Sequence, residues 1–228
     1  MRKLVLLLVL LPLVAVWVYG CNDTTPTETE TAATDVSFDF QGTRRGLSST
    51  FDTDAEGWTL VGGANGAAYI PGSDFLAIQV FVYYDAAAGS PGGAVYADDT
   101  PGDDWFFQAP PKFLGNRLGA YGGALEFDLN APSSVGFERP DVVLAGDGLT
   151  LVVDAGDSPA GQWTSYRVGL DELSGWKVID LNGQDATANE LRRVLKNLVL
   201  LRIRGEYFFG SDRAYLDNVR FVPPGEAK

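Results

Sequence analysis

Residues 148–155 read GLTLVVDA, and this stretch decides the fold class. Leu149, Leu151 and Val153 alternate with Thr150, Val152 and Asp154, which puts three aliphatic side chains on one face of an extended strand. A glycine precedes the run and an acidic, glycine-containing turn follows it. The same rhythm recurs at residues 75–84, 124–129, 142–145, 165–170, 199–204 and 214–222, and 27 glycines punctuate the chain. Short strands separated by glycine turns are the pattern of a β-sandwich. One segment departs from it: in residues 187–198, TANELRRVLKNL, the residues Leu191, Val194, Leu195 and Leu198 fall at the spacing of one helical stripe. Thr187 and Glu190 there have the spacing of a capping box. One short α-helix among about eight to ten strands predicts an all-β fold, a two-sheet jelly roll, with no strand–helix alternation to build a nucleotide site.

Composition narrows the chemistry. The 228 residues are 46% hydrophobic, enough for a buried core. Seventeen basic against 30 acidic residues give a net charge of −13, so nucleic acid and anionic membrane surfaces are repelled, and cations or neutral ligands are the natural partners. There is no histidine and a single cysteine, Cys21. That removes Ser-His-Asp and Cys-His nucleophiles, intrachain disulfides and cysteine-rich metal sites. What remains is carboxylate chemistry of the glycosidase type, or calcium and magnesium on oxygen ligands.

The first 21 residues read as an export signal. Arg2 and Lys3 precede an apolar run from Leu4 to Tyr19 that ends in Gly20-Cys21. This end resembles a bacterial lipobox, in which the cysteine is the lipid acceptor, although Tyr19 stands where that pattern has a small or aliphatic residue. As a membrane span, the run is short of the roughly 20 residues required and is broken by Pro12. Residues 22–35 hold six threonines and no aromatic or bulky aliphatic residue, the composition of a flexible tether or an O-glycosylated stalk. The expected organisation is therefore a signal peptide over 1–21 with acyl acceptor Cys21, a tether over 22–35, one folded domain over 36–224, and a short tail over 225–228. The expected location is the bacterial cell envelope through a lipid anchor, or secretion.

Within the folded part, several segments keep a family's order and spacing. They are FDTDAEGW (51–58), SPGGAVYADD (90–99), WFFQAPPKFLGN (105–116), AYGGALEFDL (120–129) and VVLAGDGLTL (142–151), followed by Trp163, Trp176, ATANELRRVLKNL (186–198), LRIRGEY (201–207) and LDNV (216–219). Together they resemble the laminin B domain, also called laminin IV type A. The resemblance implies a jelly-roll sandwich similar to carbohydrate-binding modules, with no enzymatic activity and a binding or spacer role. The cysteine-rich repeats that flank such domains in animal matrix proteins have no counterpart here.

Two acidic groups are the candidate sites. In 51–58, Asp52, Asp54 and Glu56 precede Gly57 as in the opening of a calcium loop, but an EF-hand fails because its twelfth position falls on Gly63. Asp217 shares the parity of Tyr215, Val219 and Phe221, so it falls on the apolar face of its strand and needs a partner. Jelly-roll carbohydrate-binding modules often hold a structural calcium between an acidic residue near the first strand and an aspartate in the last. Asp52 and Asp217 match those places, with Asp54 and Glu56 as weaker ligands; ion pairing or amide capping of Asp217 explains the same pattern without metal. The second group, Asp98, Asp99, Asp103 and Asp104, adjoins Trp105 in a Pro/Gly loop. Asp99, Asp104, Trp105 and Tyr121, and with them Tyr83-Tyr84, are candidate sugar contacts or equally a solvated loop beside core aromatics.

The resulting expectation is a non-catalytic recognition or adhesion module on a surface lipoprotein, probing an extracellular glycan or surface protein and holding a structural calcium. A carbohydrate-binding module proper is the first alternative, and a glycoside hydrolase with paired carboxylates the second. A row of solvent-exposed Trp or Tyr favours sugar binding; burial of all five tryptophans favours a spacer.

Overall fold

The computed structural model describes residues 47–63, 78–98, 104–133, 138–208 and 210–226. In it the stretch 148–155 becomes strand β9, Leu149–Val153. Leu151 and Val153 enter the main core as the alternation requires, but Val152 is buried too, on the opposite face. The strands are Ser48–Ser49 (β1), Thr59–Gly63 (β2), Ile78–Phe81 (β3), Tyr83–Gly89 (β4), Gly92–Asp98 (β5), Asp104–Gln108 (β6), Ala124–Asn130 (β7), Val142–Gly146 (β8), β9, Thr164–Gly169 (β10), Lys177–Val178 (β11), Leu198–Arg204 (β12) and Arg213–Val222 (β13), with one α-helix, Ala188–Lys196 (α1). The expected all-β, two-sheet jelly roll with one short helix is what forms.

Among the described residues the front sheet runs β10-β7-β13-β5-β4, and the back sheet runs β11-β9-β8-β12-β6-β2-β3, all pairs antiparallel. Strand β13 is the spine of the front sheet. One of its edges pairs wholly with β7, while the other is shared: residues 213–216 pair with β5 and residues 219–220 with β1. Between those two partners lie Asp217 and Asn218, and Asn218 has the positive φ of 52° that a bulge needs.

Between the sheets pack Phe51, Trp58, Trp105, Phe107, Phe113, Phe127, Leu144, Leu201, Ile203, Leu216 and Phe221. A second layer, Val61, Phe106, Val143 and Val152, is buried on the outer side of the back sheet, with Leu181 and Leu200 against it. That layer explains why β6 and β8 read as continuous apolar runs: both faces of these strands are covered.

Two sequence expectations need correction. The run 75–84 is not one strand. It breaks at Val82 into β3 of the back sheet and β4 of the front sheet, so this segment crosses the sandwich, and its residues 75–77 lie outside the described set. The helix stops at Lys196, with Asn197 closing it through a backbone hydrogen bond to the Val194 carbonyl. Leu198 is therefore the first residue of β12, buried at the end of the stripe formed by Leu191, Val194 and Leu195.

The capping box forms as the spacing requires. The Thr187 hydroxyl accepts from the Glu190 amide at 3.3 Å, and the Glu190 carboxylate accepts from the Thr187 amide at 2.8 Å. Thr187→Ala removes one half of this reciprocal cap. It is expected to lower stability by about 1 kcal/mol, read in chemical denaturation as a lower midpoint at unchanged slope. A midpoint equal to wild type would show that packing of Leu191, Val194 and Leu195 holds the helix without its cap. Among the described residues no helix is long and apolar enough to cross a membrane.

Candidate functional site

The turn at 51–58 is ordered by its own carboxylates and by one cation from outside it. Phe51 and Glu56 take positive φ, the Asp54 carboxylate accepts from the Glu56 amide at 2.6 Å, and Gly57 completes the reversal. Glu56 folds back so that one carboxylate oxygen accepts from the amides of Thr50 at 3.1 Å and Phe51 at 2.7 Å. Its other oxygen pairs with Lys112. Partial burial acts to raise its pKa, but the Lys112 and Phe51 hydrogen bonds outweigh it and hold the group below the ordinary Glu range. Asp54 and Glu56, expected as weaker calcium ligands, are thus committed to building the turn.

Asp52 and Asp217 do approach one shared place, the β4–β5 turn at Gly89–Gly92. Asp217 is fully buried; its carboxylate accepts from the Ser90 amide at 2.7 Å and from the Asn218 amide at 2.6 Å. Burial pushes its pKa up, against those two amides, and the negative charges of Asp128 and Asp52 push it further. The Asn218 side-chain amide donates to the Ser90 carbonyl and to Asp128, both at 2.8 Å. Asp52 is exposed and accepts from the Thr50 hydroxyl at 2.7 Å. Gly93 is required beside it: a β-carbon there would fall 2.2 Å from the Phe51 carbonyl. Asp128 is the member that sequence reading missed. Its only signal was the outward parity of Glu126 and Asp128 in β7, and the register sets Asp128 directly opposite Asp217, so Asp217 shares the outer face with Tyr215 and not the apolar face expected for it; the bulge at 217–218 is what turns Val219 and Phe221 into the core. Among the described residues no group of three or more His, Cys, Asp or Glu side chains is assembled so as to hold a metal ion.

Among the described residues the second acidic group and its neighbours do not assemble a sugar site, and its Asp103 lies outside them. Trp105 is 0% exposed, edge-on to Phe107 at 5.3 Å in the core, so it presents no ring face to a ligand. Asp104 is buried and accepts from Arg139 at 2.9 and 3.0 Å. Tyr121 hydrogen-bonds Glu172 and has one ring face covered by the Arg192 guanidinium at 4.0 Å. Asp99 and Cys21 lie outside the described residues.

The surface that sequence reading did not assemble is the outer face of the front sheet. Register sets Tyr83 of β4 opposite Tyr96 of β5, Tyr96 opposite Tyr215 of β13, and Tyr215 opposite Asn130 of β7. Continuing the β10–β7 register by one residue brings Trp163 beside Asn130. The result is one row across the sheet: Tyr83–Tyr96 centroids are 5.2 Å apart and stacked, Tyr96–Tyr215 are 5.3 Å apart, and Trp163–Tyr215 are 6.3 Å apart. Tyr83 is 58% exposed and the other three rings are half-buried. Tyr84, by contrast, packs on the core.

Beside this row lies an open groove of about 430 Å³, walled by residues 48–50 and floored by Glu126, Asp128, Ser165, Asn218 and Arg220. Glu126 is held by Arg167 and, at 2.7 Å, by Arg220. Burial alone raises its pKa, but the hydrogen bonds from Arg167 and Arg220 prevail and keep it below the ordinary Glu range. At the other side of the row Arg213 grips Asp98 at 2.6 and 3.0 Å and covers part of Tyr96 at 4.3 Å.

A family model described as Laminin B (Domain IV) matches residues 106–223, more than half of the chain. The chain belongs to the laminin B family. Laminin subunit gamma-2 of Equus caballus is 34% identical over 140 residues, 56% of this chain and 11% of that protein. Human laminin subunit gamma-2 is 36% identical over 132 residues, 53% of this chain and 10% of that protein. The chain thus spans about a tenth of the length of these curated relatives. Among solved structures, the L4b domain of human laminin alpha-2 superposes with a TM-score of 0.59 at 15% identity, covering 77% of this chain and 96% of that domain.

The laminin B match holds most of the site but not all of it. Trp163, Asn130, Tyr215, Glu126, Asp128 and Asn218 lie inside residues 106–223. Tyr83, Tyr96 and Asp52 precede them. In this laminin B domain the aromatic row is therefore completed by strands that come before the matched segment.

Proposed function

We propose that this laminin B domain is a non-catalytic recognition module working outside the cytoplasm, with the outer face of the front sheet as its ligand surface. The observation that carries the reading is the register row Tyr83–Tyr96–Tyr215–Asn130–Trp163 lying next to a polar groove. Aromatic rings with a polar handle are the side chains that give contact area to a ligand without making a surface insoluble. A glycosidase needs one carboxyl kept protonated as general acid. Glu126 is driven the other way by its two arginines, and the raised Asp217 is sealed from solvent. Display at the cell envelope through a lipid on Cys21, with residues 22–35 as tether, fits this role.

The test is a binding screen of the full chain against polysaccharides and purified matrix and surface proteins. Ligand capture that is lost in Tyr96→Ser supports the reading. Capture unaffected by any substitution on the front sheet refutes it.

Structural calcium belongs to the same proposal. Asp52 and Asp217 are hard oxygen donors that both border the β4–β5 turn at Gly89–Gly92, and this pair carries the calcium reading. Asp54 and Glu56 are not part of it. A bound cation would neutralise the like charges at the spine of the front sheet. At a hundredfold excess over Kd the melting temperature of the full chain is expected to rise by roughly 5–10 °C. The rise should vanish in Asp217→Asn. Identical melting in calcium and in EDTA would remove the metal from this account.

A further inference from the structure

We infer that the aromatic row and the adjoining groove form one binding site for an uncharged polysaccharide chain, laid across the strands from Tyr83 toward Trp163. This rests on the recognition role above and names its ligand class. Of the exposed large hydrophobic side chains among the described residues, only Tyr83 belongs to a front-sheet strand; Phe81, Leu118, Leu173, Ile179 and Val199 lie elsewhere. An apolar protein surface or an amphipathic helix therefore has no aliphatic patch to cover here. Rings separated by polar residues match a ligand that is itself amphipathic, and a sugar ring presents C–H groups on its faces and hydroxyls at its edge.

The charges select within that class. Arg167 and Arg220 share Glu126, and Arg213 is held by both oxygens of Asp98. Sulfate or uronate groups would have to break these pairs, and they would meet Asp128 and Asp52 in a molecule of net charge −13. Hydroxyls need no such exchange. Fixed carboxylate oxygens of Glu126 and Asp128 accept from them, and Ser165, Asn130 and the tyrosine hydroxyls both donate and accept. Because Glu126 is already oriented by two arginines, it meets the ligand pre-organised.

The experiment measures retention of the full chain by matched polymers: hydroxyethyl cellulose against carboxymethyl cellulose, dextran against dextran sulfate, and galactomannan and neutral arabinoxylan alone. The expected result is saturable binding to at least one uncharged polymer and at least about tenfold weaker binding to the charged member of its pair. Tyr215→Ala should weaken binding by about tenfold or more, as loss of a central aromatic anchor does. Tyr215→Phe keeps the ring and should stay within a few-fold of wild type. Phe81→Ser, on the back sheet, should bind as wild type. Preference for the charged polymers, or retention by none, overturns the inference. If a protein ligand is instead captured and lost in Tyr215→Ala, the recognition face stands and the polysaccharide class falls. If an uncharged polymer binds Tyr215→Ala and wild type alike, the site lies off the row.

Discussion

Trp58→Ala is expected to destabilise the domain by about 3–5 kcal/mol, a large part of the 5–15 kcal/mol by which domains are typically stable. Trp58 is 2% exposed, packs edge-on against Phe51 at 6.1 Å and Phe113 at 5.4 Å, and donates its indole N–H to the Ser49 hydroxyl at 2.9 Å. Removing it opens a cavity between the sheets and takes the indole donor away from the buried Ser49 hydroxyl. The consequence extends beyond the cavity, because Ser49 belongs to β1 and β1 pairs with β13 beside Asp217. Urea titration followed by circular dichroism measures the loss. Trp58→Phe, which keeps most of the volume but not the N–H, should fall between. A loss below 1 kcal/mol for Trp58→Ala would mean that the turn at 51–58 is peripheral to the core.

Asp141→Ala is expected to have an effect of similar size, about 3–5 kcal/mol, because it breaks a buried ion pair from one side only. Asp141 and Arg204 are both nearly wholly buried and lie 3.4 Å apart. The Asp141 carboxylate also accepts from the Tyr207 hydroxyl at 2.8 Å and from the Ala155 amide at 2.7 Å, and so joins β8, β9 and β12 at one end of the sandwich. Burial pushes its pKa up, opposed by the Ala155 amide, the Tyr207 hydroxyl and Arg204. A raised folded pKa means that the native state holds this proton more tightly than the unfolded chain does. The group's contribution is then greatest below its unfolded value of about 3.9 and declines as pH rises toward the folded value. Asp141→Asn should remove that decline while costing less stability at neutral pH than Asp141→Ala. Equal stability of Asp141→Ala and wild type would show that the pair is replaceable by apolar packing.

The elements were legible in the sequence where local physics decides. The 148–155 alternation, the Thr187–Glu190 cap and the stripe of Leu191, Val194 and Leu195 each rest on residues within a few positions of one another. The 51–58 stretch was legible only as a turn. That Glu56 closes on Lys112 and that Asp217 closes on the Ser90 amide are contacts across the chain, set by which strands meet. Trp105 misled for a different reason: it follows an acidic Pro/Gly loop, yet β6 is covered on both faces, so the alternation that marks an exposed side is absent. The row of rings was invisible because Tyr83, Tyr96, Trp163 and Tyr215 come from four separate segments, and only the register of β4, β5, β13, β7 and β10 aligns them.

The most direct test of the front sheet as a recognition face uses Trp163. Three other tryptophans, Trp58, Trp105 and Trp176, are buried in the core, so among the described tryptophans Trp163 is the one that ligand can cover. Acrylamide quenching of the full chain should be measured with and without a saturating ligand from the binding screen, in wild type and in Trp163→Phe. Ligand is expected to lower quenching in wild type, and this protection should disappear in Trp163→Phe. Bound ligand that leaves wild-type quenching unchanged would contradict that expectation and move the recognition surface elsewhere on the domain.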